Sequence, residues 1–359
     1  MIDLRSARLA ALLALLGVQF PVLAAPAPTT APAAPPKVSS GYRLAASAIS
    51  LPGDSGWDYL AVDAGGRRLY VSHGDRVAVI DADTLTPVAE IGGLTGVHGI
   101  ALAPELQRGF ISNGKTSTIT VFDTGTNAKL GEWKSSGENP DAILYEPKTS
   151  RVFAFNGRSA NATVFDAKTG NVVATIALGG KPEFATADLQ GKVFVNVEDT
   201  SELAVLDAAK AAVLSRHPLA PCEEPTGMAI DRAHGRLWIS CSNRLAALVD
   251  AASGKVLATL PSGDGSDGAA YDPGTGYAFT SNGEGTLSVL GETSPGHFAL
   301  VENLATRKGA RTLTLDEKTH RLFLSTADLG PAPAATPEVP HPRPAIKPGT
   351  FTVLVVERP

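Results

Sequence analysis

The sequence predicts an all-β chain: a seven-bladed β-propeller of four-stranded antiparallel blades, closed by an N-terminal strand that completes the last blade. Three observations carry this prediction. Segments of strand, polar turn and strand recur, as at residues 61–72, 229–240 and 315–325. An aromatic in the second strand recurs at Tyr70, Phe110, Phe153, Phe194, Trp238, Phe279 and Phe323, at spacings of 40, 43, 41, 44, 41 and 44 residues. Seven of 21 aromatic residues therefore fall in one column. Finally, helical periodicity is absent, while short apolar strands alternate with turn residues. One four-stranded unit per 40–45 residues is the signature of a propeller blade. A blade buries both faces only by stacking on neighbours, so the repeats must form a ring.

The elements follow in order. After each aromatic anchor comes a third strand, in five blades ending at an acidic residue: 77–80 before Asp81, 119–122 before Asp123, 162–165 before Asp166, 203–206 before Asp207 and 245–249 before Asp250. Turn pairs such as Thr169-Gly170 and Ser253-Gly254 lead to a fourth strand, as at 172–176 and 256–260. Blade six departs from the pattern, with Gly291 in place of the terminal Asp. Blade seven takes strands at 311–315, 321–325 and 351–356, interrupted by a Pro-rich insertion at 327–350 that favours an extended course. It lacks a fourth strand. Residues 42–51 stand alone before blade one and are predicted to supply it, removing a free sheet edge.

Outside the ring, Arg5 and Arg8 precede an apolar run from Leu9 to Ala24 that ends in small residues. This is the pattern of a secretory signal peptide, residues 1–24, cleaved after Ala24. The run is shorter than the roughly 20 residues of a membrane span. Residues 25–40 are rich in Pro, Ala and Thr and read as a tether, leaving 41–359 as the propeller. A soluble exported monomer is expected, periplasmic where the host has two membranes. The formal charge of -5 gives no electrostatic grip on nucleic acid. The two cysteines, Cys222 and Cys241, lie at facing ends of one predicted hairpin, which suits a disulfide in an exported chain. The alternative, a thiol ligand or redox pair, is disfavoured by the acidic neighbours Glu223 and Glu224.

The motifs resemble those of YVTN-repeat propellers, within the wider WD40/YVTN repeat-like superfamily. Phe194-Val195-Asn196, Leu69-Tyr70-Val71-Ser72 and Phe110-Ile111-Ser112-Asn113 are similar to the YVTN element. Gly180-Lys181-Pro182 and Asn139-Pro140-Asp141 resemble the family's lead into each blade, and Asp166-Ala167-Lys168-Thr169-Gly170 its D-x-x-T-G turn. The chain most resembles the bacterial YncE-like exported proteins, over residues 42–358. The shared residues are structural, so the resemblance implies a fold more than an activity.

Unusual side chains gather on one predicted face, that of the loops leading into the first strands. Twelve positions before each anchor stand Asp58, His98, Asp141, Pro182 (followed by Glu183), Thr226, Asp267 and Arg311. Three positions after it stand His73, Asn113, Asn156, Val197, Cys241, Asn282 and Thr326. The channel mouth is therefore the expected binding site, through Asp58, His73, His98, Asn113, Asp141, Asn156, Glu183, Asp267, Asn282 and Arg311. Solvated polar residues that cap turns are the plainer alternative. No nucleophile elbow, phosphate loop or dinucleotide fingerprint is present, so no catalytic residue is assigned.

The first reading is thus a non-enzymatic scaffold that binds a small molecule or an exported protein. No cofactor is required by the sequence, but His73, His98 and Asp58 are candidates for a divalent transition metal. Calcium could instead be held by Glu183, Asn196, Glu198, Asn243, Asp267 and Asn282. Such metals imply a hydrolase alternative, since six-bladed lactonase propellers resemble this arrangement. The superfamily also contains propellers that hold haem d1 or join quinoprotein dehydrogenases, which would make His73 or His98 an axial ligand. The insertion at 327–350 is open to three readings: lid, docking strip or unconstrained loop. At its base Arg307, Lys308 and Arg311 engage an anion or pair with Asp267 and Asp328.

Overall fold

The computed structural model describes residues 39–336 and 344–358. The segments read as signal peptide and tether, save its last two residues, and the middle of the insertion lie outside the described residues. Six blades are four-stranded and antiparallel, each built from consecutive strands. Blade one comprises Trp57–Asp63, Arg68–His73, Arg76–Asp81 and Pro87–Ile91. The first strand of each blade packs on the first strand of the next, and Leu313–Asp316 of blade seven returns to Trp57–Asp63. The described residues therefore form a closed ring of seven sheets. Among them, no helix is long and apolar enough to cross a membrane.

The anchor column does what its chemistry demands. Tyr70, Phe110, Phe153, Phe194, Trp238, Phe279 and Phe323 are all buried. They fill the spaces between sheets, where large rings displace the most water per residue. The acidic residues ending third strands fix the outer turns. Asp166 Oδ1 accepts from the backbone of Lys168 (3.0 Å) and Thr169 (2.8 Å) and from the Thr169 hydroxyl (2.9 Å). Asp81, Asp123 and Asp250 repeat the arrangement. Where Gly291 replaces the acid, no such cap stops the sheet. Strands Thr286–Ser294 and His297–Ala305 run on for 9 residues each. A Cβ at Gly291 would meet the Tyr277 ring at 2.8 Å, so glycine lets that ring lie across the strand.

Blade seven is closed by the N-terminal segment, as two short strands rather than one. Arg43–Leu44 and Ile49–Ser50 both pair antiparallel with Thr352–Glu357. Leu44 faces Val356 and Ile49 faces Val353, so five steps along one chain match three along the other. Residues between them bulge out of register, which divides the predicted strand. A second staple links blades one and seven: Arg67 grips Asp316 through two bonds of 2.9 and 2.6 Å.

Cys222 and Cys241 form a disulfide, with Cα atoms 5.4 Å apart. It joins the loop before Pro225–Asp231 to the end of Arg236–Cys241, and both residues are buried in one apolar cluster. The sequence separation is 19 residues. Cross-linking a loop of that length stabilises by about 3 kcal/mol in the chain-entropy model. Cys222→Ala with Cys241→Ala is expected to lower stability by that order in denaturant titration. An unchanged midpoint would remove the disulfide from the stabilising interactions.

Candidate functional site

The predicted mouth column converges, and a backbone irregularity explains how. In six blades the first strand shifts register against the second, between Trp57 and Leu60, Val97 and Ile100, Pro140 and Ile143, Pro182 and Ala185, Pro225 and Met228, and Ser266 and Gly268. Asp58, His98, Asp141, Glu183, Thr226 and Asp267 all stand within these bulges. An extra residue in one strand kinks it and re-aims its side chains, here toward the axis. Close packing follows: a Cβ at Gly99 would lie 2.8 Å from the Asp141 carbonyl oxygen.

The bulges are held by hydroxyls two positions after the anchors. Ser112 Oγ accepts from Gly99 N (2.8 Å) and donates to Asp141 O (2.5 Å). Ser281 Oγ donates to Arg311 O (2.5 Å), and in blade seven Ser325 Oγ lies 3.2 Å from Thr312 Oγ1, which donates to Asp58 O (2.7 Å). In blade four Asn196 takes this role, donating to Thr226 O at 2.7 Å. Ser112 and Asn196 belong to the motif read above as a fold signature. These bonds fasten Asp58, Asp141, Thr226 and Arg311 to the neighbouring blade.

Asp58, His98, Asp141, Glu183, Asp267 and Arg311 all line one cavity of about 860 Å³. His98 Nδ1 lies 2.6 Å from Asp58 Oδ2 and 3.6 Å from Asp141 Oδ1. One ligand atom from each of these three residues lies within 4.8 Å of the others. Opposite them, Lys181 pairs with Glu183 (2.6 Å) and with Glu198, and Arg311 pairs with Asp267 (3.2 Å). Tyr59, Lys181 and Glu198 also line the cavity. Tyr59 and Lys181 were not drawn from the sequence as site residues. Both stand one position off the column, Tyr59 within the blade-one bulge and Lys181 in the loop just before the first strand of its blade.

The column three after the anchors does not join this cavity. Asn113 donates to Thr118 (3.3 Å) and Thr120 (2.9 Å). Asn156 donates to Asn161 (2.8 Å) and Thr163 (3.0 Å), and Asn282 to Thr286 and Ser288 (both 3.0 Å). All three asparagines are buried at the ends of second strands, with their amide groups donating to third-strand partners. His73 is buried and stacks on Phe351, ring centroids 3.9 Å apart, with Gly53 against its edge. Burial lowers its pKa, and it does not line the cavity that His98 lines. The calcium set disperses likewise. Asn196 and Asn282 lie inside blades, and Asn243 donates to Pro221 O (2.7 Å), leaving Glu183, Glu198 and Asp267 at the mouth.

Crowding of like charge shifts the mouth groups. Burial drives Asp141 up to about 7, with the Asp58 carboxylate adding repulsion and His98 opposing it. Burial and Asp141 push Glu183 to about 8 despite Lys181. Asp267 rises to about 6 through burial, restrained by Arg311. For His98, burial favours the neutral ring, but the bond to Asp58 and the charges of Asp141 and Glu183 outweigh it and raise the pKa to about 9. Each group holds its proton more tightly folded than unfolded, so folding stability falls as pH rises. The loss runs from 3.8 to about 6 for Asp267, 3.8 to about 7 for Asp141, 4.5 to about 8 for Glu183 and 6.5 to about 9 for His98. Carboxylates held low, such as Asp316 under Arg67, complete their stabilising effect at lower pH. In chelator folding stability is expected to fall as pH rises from about 5 to about 9, read as a falling unfolding midpoint. A flat profile would show that the mouth is not crowded.

No protein-family model matches the chain, and no curated protein matches it. Among solved structures it is similar to hydrazine synthase from Kuenenia stuttgartiensis, at 16% identity and a TM-score of 0.65, over 78% of this chain and 94% of that one. Likeness at this identity shows the fold alone, and it agrees with the ring of blades.

Proposed function

We propose that this chain is an exported propeller that binds a small ligand at its channel mouth through a divalent transition metal held by Asp58, His98 and Asp141. The observation that carries the reading is the approach of these three side chains to within 4.8 Å at the head of the cavity. One imidazole and two carboxylates suit zinc or cobalt, and a cavity on their open side leaves coordination positions for a ligand. The cation also relieves the repulsion that raises Asp141. Export is supported by the disulfide, which belongs to oxidising compartments, and by the charged-then-apolar N-terminal sequence. The test is titration of the chelator-stripped chain with zinc, read as a rise in unfolding midpoint and as bound metal by elemental analysis. Absence of both would overturn the reading.

A further inference from the structure

Beside the mouth lies a smaller chamber of about 270 Å³, lined by Trp57, Leu329, Pro344 and Ile346, with Gly309 at its back. Its far wall is the base of the Pro-rich insertion, which is built as a clamp. Leu329 bridges Ile346, Gly330 N donates to Ala345 O (2.7 Å), and Lys347 N donates to Asp328 O (2.8 Å). Asp328 pairs with Arg307, and Gly349 N donates to Asp54 (3.0 Å), which ties both ends to the rim. Ile346 packs on the apolar cluster that contains Phe351 and Trp57. This half of the insertion is therefore fixed in place, with apolar side chains facing a void.

The chamber adjoins the mouth: Gly56, Trp57 and Arg311 line both. The only charge at that junction is the Arg311 guanidinium. One of its amines meets Asp267, and the side chain remains 37% exposed. A guanidinium presents donors in a plane that matches a carboxylate. An enclosed dry cavity of about 150 Å³ takes a benzene ring; this larger one, open on one side, has room for a substituted ring or a chain of about six to eight carbons.

We propose that the chamber is the apolar subsite of the mouth and that the ligand is a medium-chain or aryl carboxylate. Its hydrocarbon lies between Trp57, Leu329 and Ile346, and its head passes Arg311 to the metal. The inference deepens the metal-centred reading and rests on it for the position of the head.

A chain-length series tests it. Acetate, butanoate, hexanoate and octanoate are titrated into the full chain, zinc-loaded and chelator-stripped. Burial of each methylene predicts about a fourfold rise in affinity, levelling off once the chamber is full. Leu329→Asn with Ile346→Asn is expected to flatten the series while leaving zinc binding unchanged. Should that pair not fold, Leu329→Asn alone carries the comparison. A flat series in the zinc-loaded wild type overturns the chamber and leaves the metal in place. A rise that survives the substitutions overturns the assignment to these residues. A rise that these substitutions abolish, but that needs no zinc, keeps the chamber and removes the metal-centred reading.

Discussion

Asp141→Asn is expected to cut the zinc-induced rise in unfolding midpoint by more than half and, in the same protein stripped of metal, to raise the midpoint at about pH 8. The two effects have one cause. Asp141 lies between a second carboxylate and an imidazole, and burial deprives it of the water that would screen them. A neutral amide removes the repulsion, which stabilises the metal-free fold, and removes an anionic ligand, which weakens the metal. Saturating zinc at about 1,000 times its dissociation constant would add about 4 kcal/mol to the wild type. The variant should require at least about 100-fold more zinc, the upper end of what loss of even an outer-shell partner costs. Because His98 must surrender a proton to coordinate, binding should also release protons and change its heat with the buffer. His73→Ala is the contrast: it removes a buried ring stacked on Phe351, so it should destabilise the fold and leave zinc affinity unchanged. If zinc binds Asp141→Asn as well as it binds wild type, or if His73→Ala abolishes binding, the three-residue site is wrong.

The ring was legible in the sequence because its determinants are local and repeated. An anchor such as Phe110 or Trp238 must be large and apolar wherever two sheets meet, and an Asp such as Asp166 must follow wherever a third strand turns. The mouth column was legible for the same reason: position within the repeat fixes radius and height. The column three after the anchors misled because residue type does not say which way a side chain points. Asn113, Asn156 and Asn282 have the polarity of ligand-binding residues, but they end regular strands and find partners across the pair. Asp58 and Asp141 stand in bulges, and a bulge leaves little trace in composition. Tyr59 escaped notice because a bulge turns two adjacent residues inward, whereas alternation predicts one, and Lys181 because it lies in the loop before its strand, where no alternation applies. The trio itself depends on distances between three blades, roughly 40 residues apart in sequence at each step, and no local pattern encodes it.

Removing residues 39–51 should abolish cooperative folding of the ring, because that short segment closes both seams of blade seven. On one side Tyr42 enters the cluster shared with blade six. Its ring meets Phe279 edge-on at 4.9 Å, and its hydroxyl donates to Asp272 Oδ2 at 3.0 Å. Asp272 also accepts from His320 Nδ1 (2.9 Å), so one carboxylate joins three parts of the chain. On the other side Ile49 and Leu51 enter the cluster shared with blade one, beside Leu69 and Ile80. Without the segment, Thr352–Glu357 becomes a free edge with unpaired backbone groups, a template for aggregation. Graded substitutions separate packing from hydrogen bonding. Tyr42→Ala should cost about 4 kcal/mol, as loss of a buried ring does. Tyr42→Phe should cost only about 1 kcal/mol, because the ring stays and Asp272 keeps Thr275 and His320. A synthetic peptide of residues 39–51 added to the truncated chain should restore the native midpoint, as an added strand does at an open sheet edge. A truncated protein that unfolds at the wild-type midpoint without the peptide would mean that the ring closes through blade contacts alone.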